Sequence, residues 1–162
     1  MKNVRFTLGI SAAILIAFVA SANQAGAQGK QGPYVTEAAA RLSKLINDGN
    51  EDGYTLANNS FSIGGGWLKQ SKKDWIPLFT VPLQAGKTYR FIAAGDKDAK
   101  DVDIEILDAN NKVVAKDALA DPTATVDYKC KTTGDHTVRI RLYASDENVP
   151  CVCLAIMMTK KK

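Results

Sequence analysis

His136 is the only histidine in the 162 residues, so a Ser-His-Asp triad or a Cys-His nucleophile pair would have to be built around it or not at all. It stands beside the Gly134-Asp135 turn, where a surface turn residue is expected. Cys130, Cys151 and Cys153 bring the Cys and His total to four, dispersed along the chain, which serves a four-ligand structural zinc site poorly. Asp96, Asp98, Asp101 and Asp103 place four carboxylates within eight residues, the hard oxygen donors that calcium prefers. The run lacks the EF-hand pattern, with its glycine at the sixth position and glutamate at the twelfth. Calcium is therefore the one cofactor this chain suggests, set against a solvated acidic loop leading into the polar face of a strand.

Gly64-Gly65-Gly66 is not a phosphate loop, because no Gly-Lys-Ser/Thr follows and no strand-to-helix setting is present. It reads as a flexible turn or bulge. Trp67, immediately after it, is the candidate for an exposed aromatic that stacks on a ligand or fills a partner's pocket. Trp75 opens an apolar run and is expected in the core. Charge narrows the partners further: 21 basic and 17 acidic residues are interleaved, and Lys160-Lys161-Lys162 is the one basic cluster after the first few residues, fit for a solvated end. Nucleic acid, which wants basic residues gathered on one face, is not an expected partner.

The elements that position these residues begin with a leader. Lys2 and Arg5 precede an apolar run from Leu8 to Val19, and Ala25-Gly26-Ala27 has the small-residue form of a cleavage site. Residues 1–27 are thus expected to be a signal peptide, cut to leave Gln28 first, on a secreted or periplasmic bacterial protein. The run is too short to span a bilayer, and no later segment approaches that length. Two of the basic residues and none of the acidic ones fall in this leader, so the mature chain is close to neutral, near +2. Residues 28–33 read as a flexible lead-in. Residues 34–59 read as a helix and connection: Thr36 is the expected N-cap, Ala38, Leu42, Leu45 and Ile46 form one apolar stripe, and Asn47-Asp48-Gly49 is the expected stop. So narrow a stripe suits a helix packed on the edge of something larger.

From residue 60 to 162 the period changes from 3.6 to 2. Asp101-Val102-Asp103-Ile104-Glu105-Ile106 alternates cleanly, predicting a strand with Val102, Ile104 and Ile106 buried and three carboxylates in water. The same alternation recurs at Phe79, Val81, Leu83; at Tyr89, Phe91, Ala93; at Val126, Tyr128, Cys130; and at Val138, Ile140, Leu142. Turn residues separate these runs at short intervals, so an all-β antiparallel sandwich or jelly roll of about seven to eight strands with one N-terminal helix is predicted. Pro77 and Pro82 put their strand at an edge or on a bulge, since proline cannot donate to a ladder. If the strands near Cys130, Val138 and Cys153 form a meander, Cys130 lies roughly 25 Å from the other two, at about 3.3 Å per residue, too far for a bridge. A Cys151–Cys153 bond, a free CxC pair and a longer bridge all remain open.

Val81-Pro82-Leu83-Gln84-Ala85-Gly86-Lys87-Thr88-Tyr89-Arg90-Phe91, the segment from Asp101 to Asn111, and Gly134-Asp135-His136-Thr137-Val138-Arg139-Ile140 together resemble the bacterial pre-peptidase C-terminal domain. The likeness spans residues 75–158. Asn111 stands where that family usually has a turn glycine, and asparagine tolerates the left-handed conformation required. The resemblance implies a β-sandwich, usually non-catalytic, appended to secreted peptidases or other exported proteins, with some relatives binding collagen or calcium. The expected function is an exported non-catalytic binding module for an extracellular polymer, protein or surface, with a structural, envelope-associated role as the alternative.

Overall fold

The computed structural model describes residues 30–57 and 61–161. The expected signal peptide and cleavage site lie outside the described residues. Nine strands are present among them: β1 (Tyr54–Thr55), β2 (Ile63–Leu68), β3 (Ile76–Leu83), β4 (Thr88–Gly95), β5 (Ala99–Leu107), β6 (Val113–Asp117), β7 (Thr123–Lys129), β8 (Gly134–Ser145) and β9 (Cys151–Lys160). One sheet runs β2-β9-β4-β7, with the short β1 also on β9; the other runs β3-β8-β5-β6. All of these pairings are antiparallel. β2 pairs β9, β3 pairs β8, β4 pairs β7 and β5 pairs β6, so the chain forms one long ribbon folded at the β5–β6 turn. Rolling that ribbon so that β4 meets β9 and β5 meets β8 gives a jelly roll. At its fold Asn111 takes a φ of 59°, while Asp108 Oδ1 accepts the N–H groups of Asn110 and Lys112 at 2.9 and 3.0 Å. Pro77 and Pro82 act as expected: β3 is an edge strand, and its register slips between Pro77 and Phe79.

Between the sheets lies a dry core that includes Leu83, Phe91, Val102, Ile104, Ile106, Val138, Ile140 and Leu142. Ile104 and Ile140 are direct cross-strand partners and neither touches solvent. The helix α1 (Gly32–Glu51) adds a third layer. It starts earlier than expected because Pro33 sits in the first turn, where its missing N–H is no loss. Thr36 is not the cap; its hydroxyl donates back to the Gly32 carbonyl at 3.0 Å inside the helix. Nor does Gly49 stop it. A Cβ at Gly49 would come within 2.8 Å of Met158 Sδ, so this glycine lets the helix approach β9, and Gly53, at a φ of 78°, supplies the left-handed residue beyond the end. Leu42, with Leu45 and Ile46 beside it, packs on Ile92, Ala94, Ile156 and Met158. β4 and β9 are consequently buried on both faces rather than one.

The acidic face of β5 departs from expectation. Val102, Ile104 and Ile106 point inward, but Asp103 and Glu105, expected in water, are 2% and 3% exposed. Their register partners on β8 are Arg141 and Arg139. Arg141 Nε donates to Asp103 Oδ2 at 2.8 Å and Arg139 pairs with Glu105. Trp75, expected in the core, lies over these pairs on the outside of the sheet. Its ring centre is 4.6 Å from the Arg141 guanidinium carbon and 5.2 Å from Lys116 Nζ, so cations stack on the indole and help cover the carboxylates.

The three cysteines are free and buried. Strands β7, β8 and β9 are not a meander, since β8 belongs to the other sheet. Cys130 is nevertheless remote from Cys153: it follows Lys129, which pairs with Thr88 at one end of β4, whereas Cys153 pairs with Gly95 at the other end.

Candidate functional site at the edge formed by β2 and β3

β2 and β3 form one open side of the roll. β2 reads Ile-Gly-Gly-Gly-Trp-Leu, and its register on β9 sets the faces: Gly64, Gly66 and Leu68 oppose Ala155, Cys153 and Cys151 of the core, while Ile63, Gly65 and Trp67 oppose Ile156, Leu154 and Val152 on the outside. Far from a flexible turn, the glycines are strand residues with distinct neighbours. A Cβ at Gly64 would come within 2.5 Å of the Phe79 ring, and one at Gly65 within 2.4 Å of the Cys153 carbonyl oxygen. Gly66 is different, because a Cβ there would meet only Leu68 Cδ1, at 3.9 Å.

The missing side chain at Gly66 opens the space between the sheets to solvent. A groove of about 600 Å³ results, floored by Leu68, Ile76, Leu78 and Leu142 and rimmed by the Lys69–Asp74 loop. That loop is well braced. Ser71 Oγ accepts the N–H groups of Lys73 and Asp74, the Ser71 N–H donates to the Leu142 carbonyl, and Gln70 Oε1 accepts the Ser145 N–H at 2.7 Å. Past the Gly64–Phe79 contact a second recess of about 310 Å³ lies between Phe61, Phe79 and Met157.

Exposed apolar side chains gather on this side. Phe61 and Ile63 are each 53% exposed, Ile76 42% and Trp67 37%, four of the seven large exposed hydrophobics among the described residues. Trp67 is held in place by α1. Its ring meets that of Tyr34 edge to face, with centres 5.3 Å apart. Farther along the helix, Arg41 donates to the carbonyls of Gly95 and Asp96 and Glu37 accepts the Lys97 N–H, fastening α1 to the β4–β5 turn.

The four aspartates are not brought together. Asp96 is wholly buried, its Oδ2 accepting the Val152 N–H at 2.6 Å and its Oδ1 the Asp98 N–H at 3.0 Å, so it joins the β4–β5 turn to β9. Asp103 is held by Arg141. Asp101 keeps one buried oxygen, Oδ1, without a hydrogen-bond partner, and burial together with the neighbouring Asp103 charge raises its pKa. Among the described residues no three Asp, Glu, His or Cys side chains are grouped so as to hold a metal ion.

His136 is not a surface turn residue. It is the first buried position of β8, 3% exposed, with its ring 5.6 Å from that of Tyr128 and its Nδ1 2.9 Å from the Gly134 carbonyl. The pair closes one end of the core and lines a recess of about 360 Å³ between the β5–β6 and β7–β8 turns. Burial first, then the Asp96 charge, raises the thiols of Cys151 and Cys153, that of Cys153 to about 12, which disfavours the reactive thiolate. The edge residues that spacing alone could not point to are Gly66 and Ile76, whose importance comes from what stands opposite them. No helix among the described residues is long and apolar enough to cross a membrane.

No protein-family model matches the chain, and no curated protein matches it.

Proposed function

We propose that this chain is an exported, non-catalytic binding module that takes an extended polymer or protein ligand on its β2–β3 side. The observation that carries the reading is the groove left open at Gly66 beside the partly exposed, buttressed Trp67. A preformed apolar floor with a rigid polar rim costs little ordering when a ligand enters, which is how a non-catalytic site gains affinity. The leader sequence supports export. The motifs at residues 81–91, 101–111 and 134–140 support kinship in style with pre-peptidase C-terminal domains, whose members are usually non-catalytic. Buried thiols and a lone histidine held on a backbone carbonyl favour binding over chemistry.

The test is co-sedimentation of the exported protein with peptidoglycan, chitin, cellulose and collagen, alongside Trp67→Ala and Gly66→Val. Valine at residue 66 fills the groove mouth at a strand position that accepts it. Retention on one matrix, lost in both variants at unchanged melting temperature, is the expected result. Retention on none points to the structural, envelope-associated role instead. N-terminal sequencing of the same material should begin at Gln28.

A further inference from the structure

The roll has four strand edges, and three of them are closed to further pairing. β3 carries Pro77, Pro82 and a register slip. β6 and β7 are stitched to each other, Asp117 Oδ2 accepting the Thr125 N–H at 2.7 Å, and β7 also carries Asp127 and Lys129. β2 has none of these devices. Ile63–Leu68 contains no charge, no proline and no slip against β9, and among the described residues it makes no backbone hydrogen bond outside that ladder. Exposed edges are ordinarily blunted because they template pairing with another chain. We propose that β2 pairs with β2 of a second copy of this chain, antiparallel and centred on Gly65, forming a two-fold dimer. The proposal goes beyond the ligand reading of this side and stands on the β2 edge alone.

The strand's own pattern selects the register. An antiparallel two-fold pairing keeps outer residues on the outer face, so Ile63, Gly65 and Trp67 can only oppose one another. Centring on Gly65 places Ile63 of each copy opposite Trp67 of the other, an aromatic on a β-branched side chain, and sets Gly64 against Gly66 on the inner face. Centring on Gly66 would waste Trp67 on a glycine, and centring on Gly64 would leave Ile63–Gly65 as the one kind of outer-face pair within both strands. In the chosen register Lys69, just past Leu68, follows the end of each strand, so the two copies' nearest cations sit at opposite ends of the ladder instead of facing each other. The fit of the area is consistent with a weak dimer. From their exposures, Phe61, Ile63 and Trp67 present roughly 300 Å² per copy. Two copies with their backbone edges then approach the lower bound for a specific interface of about 1,000 Å². Tyr34 already fixes the Trp67 ring, which lowers the ordering cost.

Sedimentation velocity of the exported protein over a concentration series tests the proposal. A reversible monomer–dimer equilibrium is expected, weakened about tenfold by Ile63→Lys or by Trp67→Glu, since two equivalent pairs are lost per dimer. Ile63→Lys combined with Trp67→Glu should recover most of that loss, because each lysine then faces a glutamate of the other copy. Val113→Lys on β6 should change nothing. All three substitutions fall on partly exposed side chains, and melting curves confirm that each variant is folded. A monomer at every concentration, or a dimer indifferent to Ile63→Lys, overturns self-pairing. A monomer that still binds a matrix through Trp67 and the groove overturns the dimer while leaving the proposed function standing.

Discussion

Arg141 on β8 lies directly across the ladder from Asp103 on β5 and donates to its carboxylate, with side-chain exposures of 12% and 2%. Glu105 and Arg139 repeat the arrangement two residues on, but there the arginine is 30% exposed. Breaking a buried pair leaves one charge uncompensated, whereas replacing both partners by apolar side chains can be neutral. Asp103→Ala should therefore cost about 3 kcal/mol in urea denaturation and Glu105→Ala less, because Arg139 can turn toward water. Asp103→Leu with Arg141→Met should lie within about 1 kcal/mol of wild type. An Asp103→Ala variant as stable as the parent would show that the pair is an exposed one.

Asp101 and Asp127 should give opposite pH dependences. Burial, then the Asp103 charge, raises the Asp101 carboxyl above its unfolded value, so its ionised form destabilises the fold above the folded pKa and that penalty is relieved as pH falls through it. Hydrogen bonding to Arg90 lowers Asp127, so its stabilisation is present above the unfolded pKa of about 3.9 and is lost as pH falls through the folded value. Asp101→Asn should raise the melting temperature at neutral pH, with the gain shrinking in acid. Asp127→Asn should lower it modestly, since the carboxylate is 43% exposed. The same sign for both in a pH series of melts would contradict the two environments.

The three consecutive glycines should not behave alike. Alanine at Gly64 meets the Phe79 ring and alanine at Gly65 meets a backbone carbonyl that cannot yield, so both should destabilise, by about 1–3 kcal/mol. Gly66→Ala enters open space in a strand and should be neutral or slightly stabilising. Thermal melts of the three variants check the order; equal losses would mean that Gly66 is as enclosed as its neighbours.

Calcium should act only as a screening ion. Asp96 already accepts the Val152 and Asp98 N–H groups, and Asp103 Oδ2 accepts from Arg141. Millimolar calcium and magnesium at equal ionic strength should thus shift the melting temperature alike relative to EDTA. A specific site would stabilise by about 2.7 kcal/mol at one hundred times its Kd. Such a rise, abolished by Asp101→Asn, would restore the calcium site suggested by the spacing.

What the chain determines by itself is what neighbouring residues decide among themselves. Alternation from Val102 to Ile106 makes a strand whatever it pairs with, Pro77 and Pro82 exclude β3 from a sheet centre, and Ala38, Leu42, Leu45 and Ile46 share a helical face before any partner exists. The sandwich with its N-terminal helix was legible for that reason. Which face stays wet is not a local property. Asp103 and Glu105 read as solvent-facing until Arg141 and Arg139, more than thirty residues later, are laid beside them with Trp75 across the top. His136 reads as a turn residue until Tyr128 closes over it. Gly64, Gly65 and Gly66 are identical in the sequence, and only the Phe79 ring, the Cys153 carbonyl and the empty space beside Leu68 make them different, because the absence of a side chain has consequences set entirely by what the fold brings opposite.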